Sequence, residues 1–259
     1  NGSAITFKNV LEARKKLADN LAPSNDRTLI LNTQDNVDLV DSLKGLFQDS
    51  ATIAQQYKEG MVGKTAGYSA IYENTLLPNF SFGAGTGYLV NGASQSGSSL
   101  IVDTGTGALP KGTVFTIANV FAVHPESRLS TGVLQQFVVT ANYTGGGGTV
   151  AIYPAITASG AYQTVNAVPA DNAAISIYAS ASADVTQSLA FQKDAFTFAT
   201  ADLVMPKGVD FSAREVYDGI SMRVVRQYDI NNDAFPCRLD VLYGYKTIRP
   251  ELACRILAN

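Results

Sequence analysis

The middle of the chain differs in composition from both of its ends. Residues 81–188 carry six of the 41 Lys, Arg, Asp and Glu residues but 14 of the 22 glycines. Within this stretch, runs rich in β-branched and aromatic residues alternate with Gly, Asn, Ser and Pro; the runs are residues 114–123, 134–141, 149–156 and 174–179. Short strands separated by turn-forming residues are typical of a small sheet or barrel. The sequence therefore predicts an all-β, barrel-like insertion domain over residues 81–188.

The segment before this stretch is predicted to contain both helix and strand. Residues 5–21 have the apolar spacing of an amphipathic helix. Its predicted apolar face consists of Phe7, Val10, Leu11, Leu17 and Leu21. Pro23 breaks this helix, and residues 27–32 form a short apolar run typical of a buried strand. A second helix is predicted to start at residues 33–36, with an apolar face made of Val37, Leu39, Val40, Leu43, Leu46 and Phe47.

The segment after residue 188 returns to a charged composition. It contains three strand-like runs, residues 189–200, 221–230 and 238–248, with a turn at residues 231–233. Because the composition of the start returns here, we expect residues 1–80 and 189–259 to form one discontinuous α/β domain that the insertion interrupts. The predicted fold class is α+β.

Composition excludes two classes of partner. Of the 259 residues, 46% are hydrophobic, enough for a sizeable core, whereas 16% are charged and the net charge is -3. A chain without a broad basic surface is not expected to bind nucleic acid in a sequence-specific way. The longest apolar runs, such as residues 114–123, are about half the roughly 20 residues of a membrane-spanning helix, so no membrane segment is expected.

No residue pattern predicts catalysis or nucleotide binding. His124 is the only histidine, and the chain has no Gly-x-Ser-x-Gly motif, so a turn or surface role is expected for it. Gly63-Lys64-Thr65 resembles the end of a phosphate-binding loop, but Lys58 stands where that motif needs glycine. We therefore predict no catalytic residue and no cofactor-binding residue.

A partial calcium-loop pattern is present near the C-terminus. Asp229, Asn231, Asp233 and Asp240 occupy ligand positions of the pattern, but Ala234 replaces the glycine of its sharp turn. The flanking segments are predicted strands and not helices. A hairpin turn is therefore expected here, with Asn and Asp tolerating left-handed backbone, and no metal site is predicted.

The two cysteines are predicted to be free thiols buried in the core. Cys237 and Cys254 lack a neighbouring His or Cys at zinc-ligand spacing. A disulfide stays open as the alternative.

Two glycine-rich segments and one basic cluster are assigned no chemistry. Gly83, Gly85, Gly87 and Gly92 are predicted to form a flexible connector, because their spacing does not fit a dinucleotide-binding loop. Residues 145–148 are four consecutive glycines, for which we expect a mobile loop tip. The basic triplet of residues 14–16 is expected to be a solvated helix face.

Four longer segments carry a resemblance to a known family. They are residues 20–32 (NLAPSNDRTLILN), 115–141, 194–208 and 222–256, and they span nearly the whole chain. These segments resemble the coat proteins of the Salmonella phage P22 family, in which a Hong Kong 97-type capsid fold carries an inserted β domain. The resemblance implies a non-enzymatic major capsid protein that self-associates into an icosahedral shell around packaged DNA.

The resemblance also implies an organisation and a set of partners. Residues 1–80 and 189–259 would be the axial domain and the end of the peripheral domain, and residues 81–188 would be the insertion domain, which helps folding and subunit contacts. Homo-oligomeric capsomers and scaffolding and portal proteins would be the partners. The protein would be assembled in the bacterial cytoplasm and reside in the virion.

The start of the chain departs from this family. Family members carry an N-terminal arm, an extended loop and a long spine helix before the point that matches Ile5, and the chain starts at Asn1 without methionine. We therefore expect a C-terminal fragment that is a monomer or small oligomer and does not close into shells.

Two alternatives stay open on sequence grounds. An α/β hydrolase with a β lid would bring Ser130 or Ser221 close to His124. A β-rich carbohydrate-binding or adhesin module would fit the Gly, Ser, Thr and Tyr content of the insertion, although the chain has no Trp to serve as an aromatic platform.

Overall fold

A computed structural model describes residues 4–43, 64–178 and 184–258. In this part of the chain there are two α-helices, α1 (Phe7–Asp19) and α2 (Thr33–Leu43), and two short 3-10 helices, Lys193–Ala195 and Pro250–Leu252. The strands are β1 (Arg27–Leu31), β2 (Ala70–Glu73), β3 (Phe80–Ser81), β4 (Leu89–Val90), β5 (Gly97–Asp103), β6 (Val114–Val123), β7 (Ser130–Val139), β8 (Gly148–Ile156), β9 (Ile175–Ile177), β10 (Asp184–Gln192), β11 (Phe196–Ala201), β12 (Phe211–Tyr217), β13 (Ile220–Arg226), β14 (Cys237–Thr247) and β15 (Ala253–Ala258).

The described part is mostly β with few helices, so strands contribute more of the fold than an α+β class suggests. None of its helices is long and apolar enough to cross a bilayer. The chain divides into two compact units, Asn1–Gln192 with Glu251–Asn259, and Lys193–Pro250. The first unit contains two sheets and the second contains one.

The first sheet has five strands, in the order β15-β10-β1-β2 with β3 also paired to β10. The predicted strand at residues 27–32 is confirmed as β1, which pairs parallel to β2 and antiparallel to β10. Helix α1 buries Val10, Ala13 and Leu17, and α2 buries Leu39 and Leu43. Leu46 and Phe47, predicted for the apolar face of the second helix, lie outside the described residues.

Helix α1 is shorter than predicted at its C-terminal end. Its last residue is Asp19, and Leu21 adopts a left-handed backbone with φ of 60°. Leu21 therefore leaves the helical face, and its side chain is exposed. Leu11 is also exposed, because the buried stripe passes through Val10, Ala13 and Leu17.

The second sheet has six strands in the order β4-β5-β8-β7-β6-β9. The predicted run 114–123 matches β6 residue for residue, and the run 149–156 matches β8 to within one residue. The sheet has its own core, in which the rings of Phe115 and Phe137 stack with centroids 5.7 Å apart. Burial of each such side chain contributes about 1.5–3 kcal/mol. The assignment of residues 81–188 to a separate insertion domain stays a prediction.

The predicted strand at residues 189–200 is two strands. The 3-10 helix Lys193–Ala195 interrupts it, so that β10 belongs to the five-stranded sheet and β11 to the third sheet. This third sheet, in the unit Lys193–Pro250, has the order β11-β14-β13-β12. The predicted strands at residues 221–230 and 238–248 correspond to β13 and β14.

Candidate assembly surface

The strand register of the four-stranded sheet places a set of apolar side chains on one face. Side chains alternate between the two faces along a strand, so Leu239, Val241, Tyr243 and Tyr245 of β14 share a face. Directly paired residues also share a face, which adds side chains from the neighbouring strands. The apolar ones on the same face are Phe196, Phe198, Phe211, Tyr217, Ile220, Met222 and Val224. Two charged residues, Glu215 and Arg226, also lie on this face. We call the eleven apolar residues the apolar face.

The apolar face is open to solvent. Nine of its residues are exposed large hydrophobics, with exposed fractions from 37% for Phe196 to 81% for Tyr245. Phe198 and Tyr243 stack with ring centroids 6.1 Å apart. Monomeric proteins rarely expose apolar patches larger than a few hundred Å² unless the patch is an interaction site. The face is therefore the strongest candidate for a contact surface in the described chain.

The opposite face of the same sheet is polar and partly covered. Asp240 accepts hydrogen bonds from Arg223 Nη2 at 2.5 Å and from Arg238 Nε at 3.2 Å. The hydrogen bonds from Arg223 are the main cause that holds the pKa of the Asp240 carboxyl below its usual range. Arg223 also donates to the carbonyl of Val204, and Pro206 lies in a groove lined by the same arginines. The segment between β11 and β12 thus contacts the polar face, and the sheet is amphipathic.

The turn after β13 contains the residues of the partial calcium pattern. Asp229 accepts hydrogen bonds from Asn232 Nδ2 at 2.7 Å and from the backbone N–H of Asn231 at 3.0 Å, which lower the pKa of its carboxyl. Asp233 has a φ of 49°, as expected for a turn that uses left-handed backbone. Asp240 instead pairs with Arg223 and Arg238. Across the described ranges, no group of three or more His, Cys, Asp or Glu residues is arranged to hold a metal ion.

His124 follows β6 and accepts two hydrogen bonds within a turn. The backbone N–H groups of Glu126 and Ser127 donate to its Nδ1 at 3.3 and 3.2 Å. A triad histidine needs the opposite arrangement, in which Nδ1–H donates to a carboxylate. Ser130 Oγ instead accepts from the backbone N–H of Gly132, and Ser221 belongs to the other compact unit. The predicted turn role of His124 is confirmed.

The two cysteines are in different environments. Both are free, as predicted, but Cys237 is exposed and only Cys254 is buried. The prediction that Cys237 lies in the core is wrong. Cys237 starts β14 on the side of the sheet that carries Leu239, so its thiol lies at the margin of the open apolar face. Burial raises the pKa of the Cys254 thiol to about 11.

Parts of both glycine segments make close contacts. A Cβ on Gly83 would lie 2.1 Å from the carbonyl oxygen of Ala108, and one on Gly85 would lie 2.4 Å from Leu109, whereas Gly87 and Gly92 of the same predicted connector have open space around them. In the predicted mobile tip, Gly146 N–H donates to the carbonyl of Gly105 at 3.1 Å, and Tyr143 Oη donates to the carbonyl of Gly146 at 2.7 Å.

Basic residues 14–16 are exposed on α1, as predicted. Gly63 lies outside the described residues.

Sequence reasoning predicted β13, β14 and, as part of a longer run, β11, but it missed β12 and did not identify the face. The available signal was the partial alternation of Leu239, Val241, Tyr243 and Tyr245 with Arg238, Asp240 and Lys246, which Leu242 interrupts. Its meaning depends on whether other residues cover that face, which the pattern alone does not reveal. A mostly β chain with many exposed apolar side chains on one face of a sheet is suited to act as a structural protein through association with other polypeptide chains.

Comparison with known proteins agrees with this class. The family model described as P22 coat protein, gene protein 5, matches residues 2–257. The chain belongs to the P22 coat protein family, so the resemblance found in the sequence is confirmed. It is a structural protein of a phage capsid, and its location is the virion shell. Membership of this structural family does not favour the hydrolase and carbohydrate-binding alternatives.

Solved structures also match the chain, and one of them is a coat protein domain. A coat protein I-domain of CUS-3 is 29% identical over 35% of this chain and 93% of that chain, with a TM-score of 0.27. None of the curated proteins with which the sequence was compared matches it.

Proposed function

We propose that the chain is part of the subunit of an icosahedral, DNA-packaging shell that forms by non-covalent self-association, and that the apolar face becomes buried in the assembled shell. The observation that carries this proposal is the concentration of nine exposed large hydrophobics on one face of the four-stranded sheet. Burial of exposed apolar surface is the main driving force for association. Symmetric repetition then closes many modest contacts into a shell.

We further propose a Hong Kong 97-type capsid fold in which residues 81–188 form the inserted β domain. Two observations support the insertion. The composition changes at both of its boundaries, and a self-contained core lies between Tyr88 and Val165. Residues 1–80 and 189–259 would then contribute the axial domain and the end of the peripheral domain.

Scaffolding and portal proteins are the proposed partners, and the host cytoplasm is the proposed place of assembly. Both follow from membership of a coat protein family, because a shell subunit must be directed to the correct curvature and joined to a DNA entry point. A contact-based function needs no active site, so we propose a role without catalysis.

A pair of leucine variants tests the role of the apolar face. Leu239 is 62% exposed on the apolar face, and Leu242 is 47% exposed on the opposite face of the same strand. Leu239→Glu places a charge that must be desolvated when the face is buried, whereas Leu242→Glu makes the same chemical change on the other side. We expect the first variant to lose concentration-dependent association in sedimentation velocity and the second to retain it.

Two other outcomes also decide the test. Equal association of the two variants and the unmodified chain would contradict the proposed role of the apolar face. A loss of association in both variants would point to the edge of β14 instead of one face. Near-ultraviolet circular dichroism of each variant establishes that the sheet remains folded.

A further inference from the structure

The six-stranded sheet is joined to the five-stranded sheet through adjacent strands. The chain enters through β3 and returns through β10, and these two strands pair with each other at Phe80↔Val185 and Ser81↔Asp184. Two neighbouring strands can bend or twist together, as a ribbon does. A fixed angle between the two sheets therefore needs contacts away from this pair of connections.

Arg255 supplies such contacts from β15 of the five-stranded sheet. Its Nη1 donates to Gln187 Oε1 of β10 at 3.0 Å, within its own sheet. Its Nη2 donates to the backbone carbonyl of Gly112 at 2.6 Å, in the loop that precedes β6 of the other sheet. Its guanidinium also lies 5.6 Å from the ring centroid of Phe80, on the entering strand. One side chain thus contacts both sheets and one of the connections between them.

Gly112 is itself fixed to the six-stranded sheet. Its N–H donates to the carbonyl of Val139, at the end of β7, at 2.7 Å. Its φ is +100°, and a Cβ at this position would lie 2.9 Å from Cε2 of Phe80. Glycine therefore allows the loop to approach Phe80 and Arg255 closely. The hydrogen bond from Arg255 to the Gly112 carbonyl therefore also restrains Gly112 relative to β7.

The planar guanidinium is suited to this position. Its fork of donors has a fixed geometry, so two hydrogen bonds in different directions determine the position of Gly112 relative to Gln187. Hydrogen bonds donated by a charged group are also stronger than those between neutral groups. A second link, from Gln187 Nε2 to the carbonyl of Pro78 at 3.0 Å, holds the segment that leads into β3.

We propose that Arg255 is a positioning residue that fixes the orientation of the six-stranded sheet relative to the five-stranded sheet. In a shell subunit this contact sets the direction in which the six-stranded sheet projects. Without it, each sheet keeps its own strand pairing and core, and the six-stranded sheet rotates about the β3–β10 ribbon. The proposal concerns the angle between two folded parts, and it is independent of the proposed role of the apolar face.

A distance measurement between two spin labels tests the proposal. Cys237→Ser removes the exposed thiol, and Ile101→Cys on β5 and Tyr72→Cys on β2 place one label on each sheet. The label distance is measured by double electron–electron resonance in this background and after Arg255→Met. We expect the single narrow distance to be lost in the variant, while near-ultraviolet circular dichroism remains unchanged. Arg14→Met on α1, which makes the same chemical change elsewhere in the same unit, is expected to keep the narrow distance.

The remaining outcomes also decide the proposal. A narrow, unchanged distance in a folded Arg255→Met variant would show that the other contacts are sufficient to fix the angle. If Arg255→Met does not fold, the same distance is measured in Arg255→Lys. Lysine keeps the positive charge but lacks the guanidinium group that donates two hydrogen bonds in different directions. A broadened distance in folded Arg255→Lys supports the proposal. Loss of the fold in both variants would make Arg255 a residue needed for stability, and the proposal would be wrong.

Discussion

At the scale of single residues, the two cysteines show where sequence reasoning stops. The prediction of two free thiols holds, but Cys254 packs under α1, with its Sγ 3.6 Å from the carbonyl oxygen of Ala13, while Cys237 is exposed. Both residues lie in strands with apolar neighbours, and their sequence contexts do not distinguish them. Their burial depends on whether another element covers that side of the sheet, which is a property of tertiary packing.

The buried thiol of Cys254 predicts a loss of stability at alkaline pH. Its pKa is raised by burial from 9.0 to about 11. Between these values the unfolded chain loses the thiol proton and the folded chain keeps it, so the contribution to stability is complete below pH 9 and is lost as pH rises through 11. We expect the free energy of unfolding, measured in urea, to fall between pH 8 and pH 10.5 in the unmodified chain. This fall should be about 2 kcal/mol larger than the fall in Cys254→Ala. If the free energy of unfolding of the two proteins depends equally on pH, the Cys254 thiol is not the cause of the alkaline loss of stability.

The exposed thiol of Cys237 provides an internal probe. We expect one rapidly reacting thiol per chain with a disulfide reagent at pH 8, and none after Cys237→Ser, because Cys254 is buried and its pKa is raised. If the apolar face is buried in the assembled shell, reaction at Cys237 should slow in particles relative to free chain. Equal rates in both states would argue against burial at this margin of the face.

At the scale of elements, strand existence was predictable more often than strand boundaries. Strand β6 coincides with its predicted run because ten consecutive residues favour β structure and turn-forming residues bound them. Strand β12 was missed, since Arg214 and Glu215 interrupt its apolar pattern and nearly all of its residues are exposed. The division between β10 and β11 was missed because neither Gly nor Pro marks the intervening 3-10 helix.

The glycine loop at residues 145–148 leads to a prediction about local order. Tyr143 Oη donates to the carbonyl of Gly146, which pins the loop that sequence reasoning expected to be mobile. Tyr143→Phe removes this hydrogen bond, worth about 0.5–1.5 kcal/mol. We expect hydrogen exchange of the Gly146 amide to accelerate by roughly two- to ten-fold. Tyr162→Phe, at a side chain that is 88% exposed, is the matched control and should leave this rate unchanged.

At the scale of the whole molecule, the compositional boundaries led to the prediction of an insertion domain. Residues 81–188, with their low charge and high glycine content, contain a six-stranded sheet that has its own core, but residues 184–188 belong to β10 of the five-stranded sheet. The contacts that join this sheet to the five-stranded one were not predictable. Arg255 and Gly112 are 143 residues apart, and no local pattern indicates that they meet.

The distribution of buried residues predicts that two parts of the chain differ in their ability to fold alone. The core of the six-stranded sheet is contained within residues 81–188, so this segment should unfold cooperatively on heating as an isolated chain. Residues 193–250 form a sheet with one face open, and a sheet without a packed face is marginal in water. We expect this second segment to give no cooperative transition and to associate as its concentration rises. Non-cooperative melting of residues 81–188 would mean that its core depends on the five-stranded sheet, and the proposed insertion would then not be an independent domain.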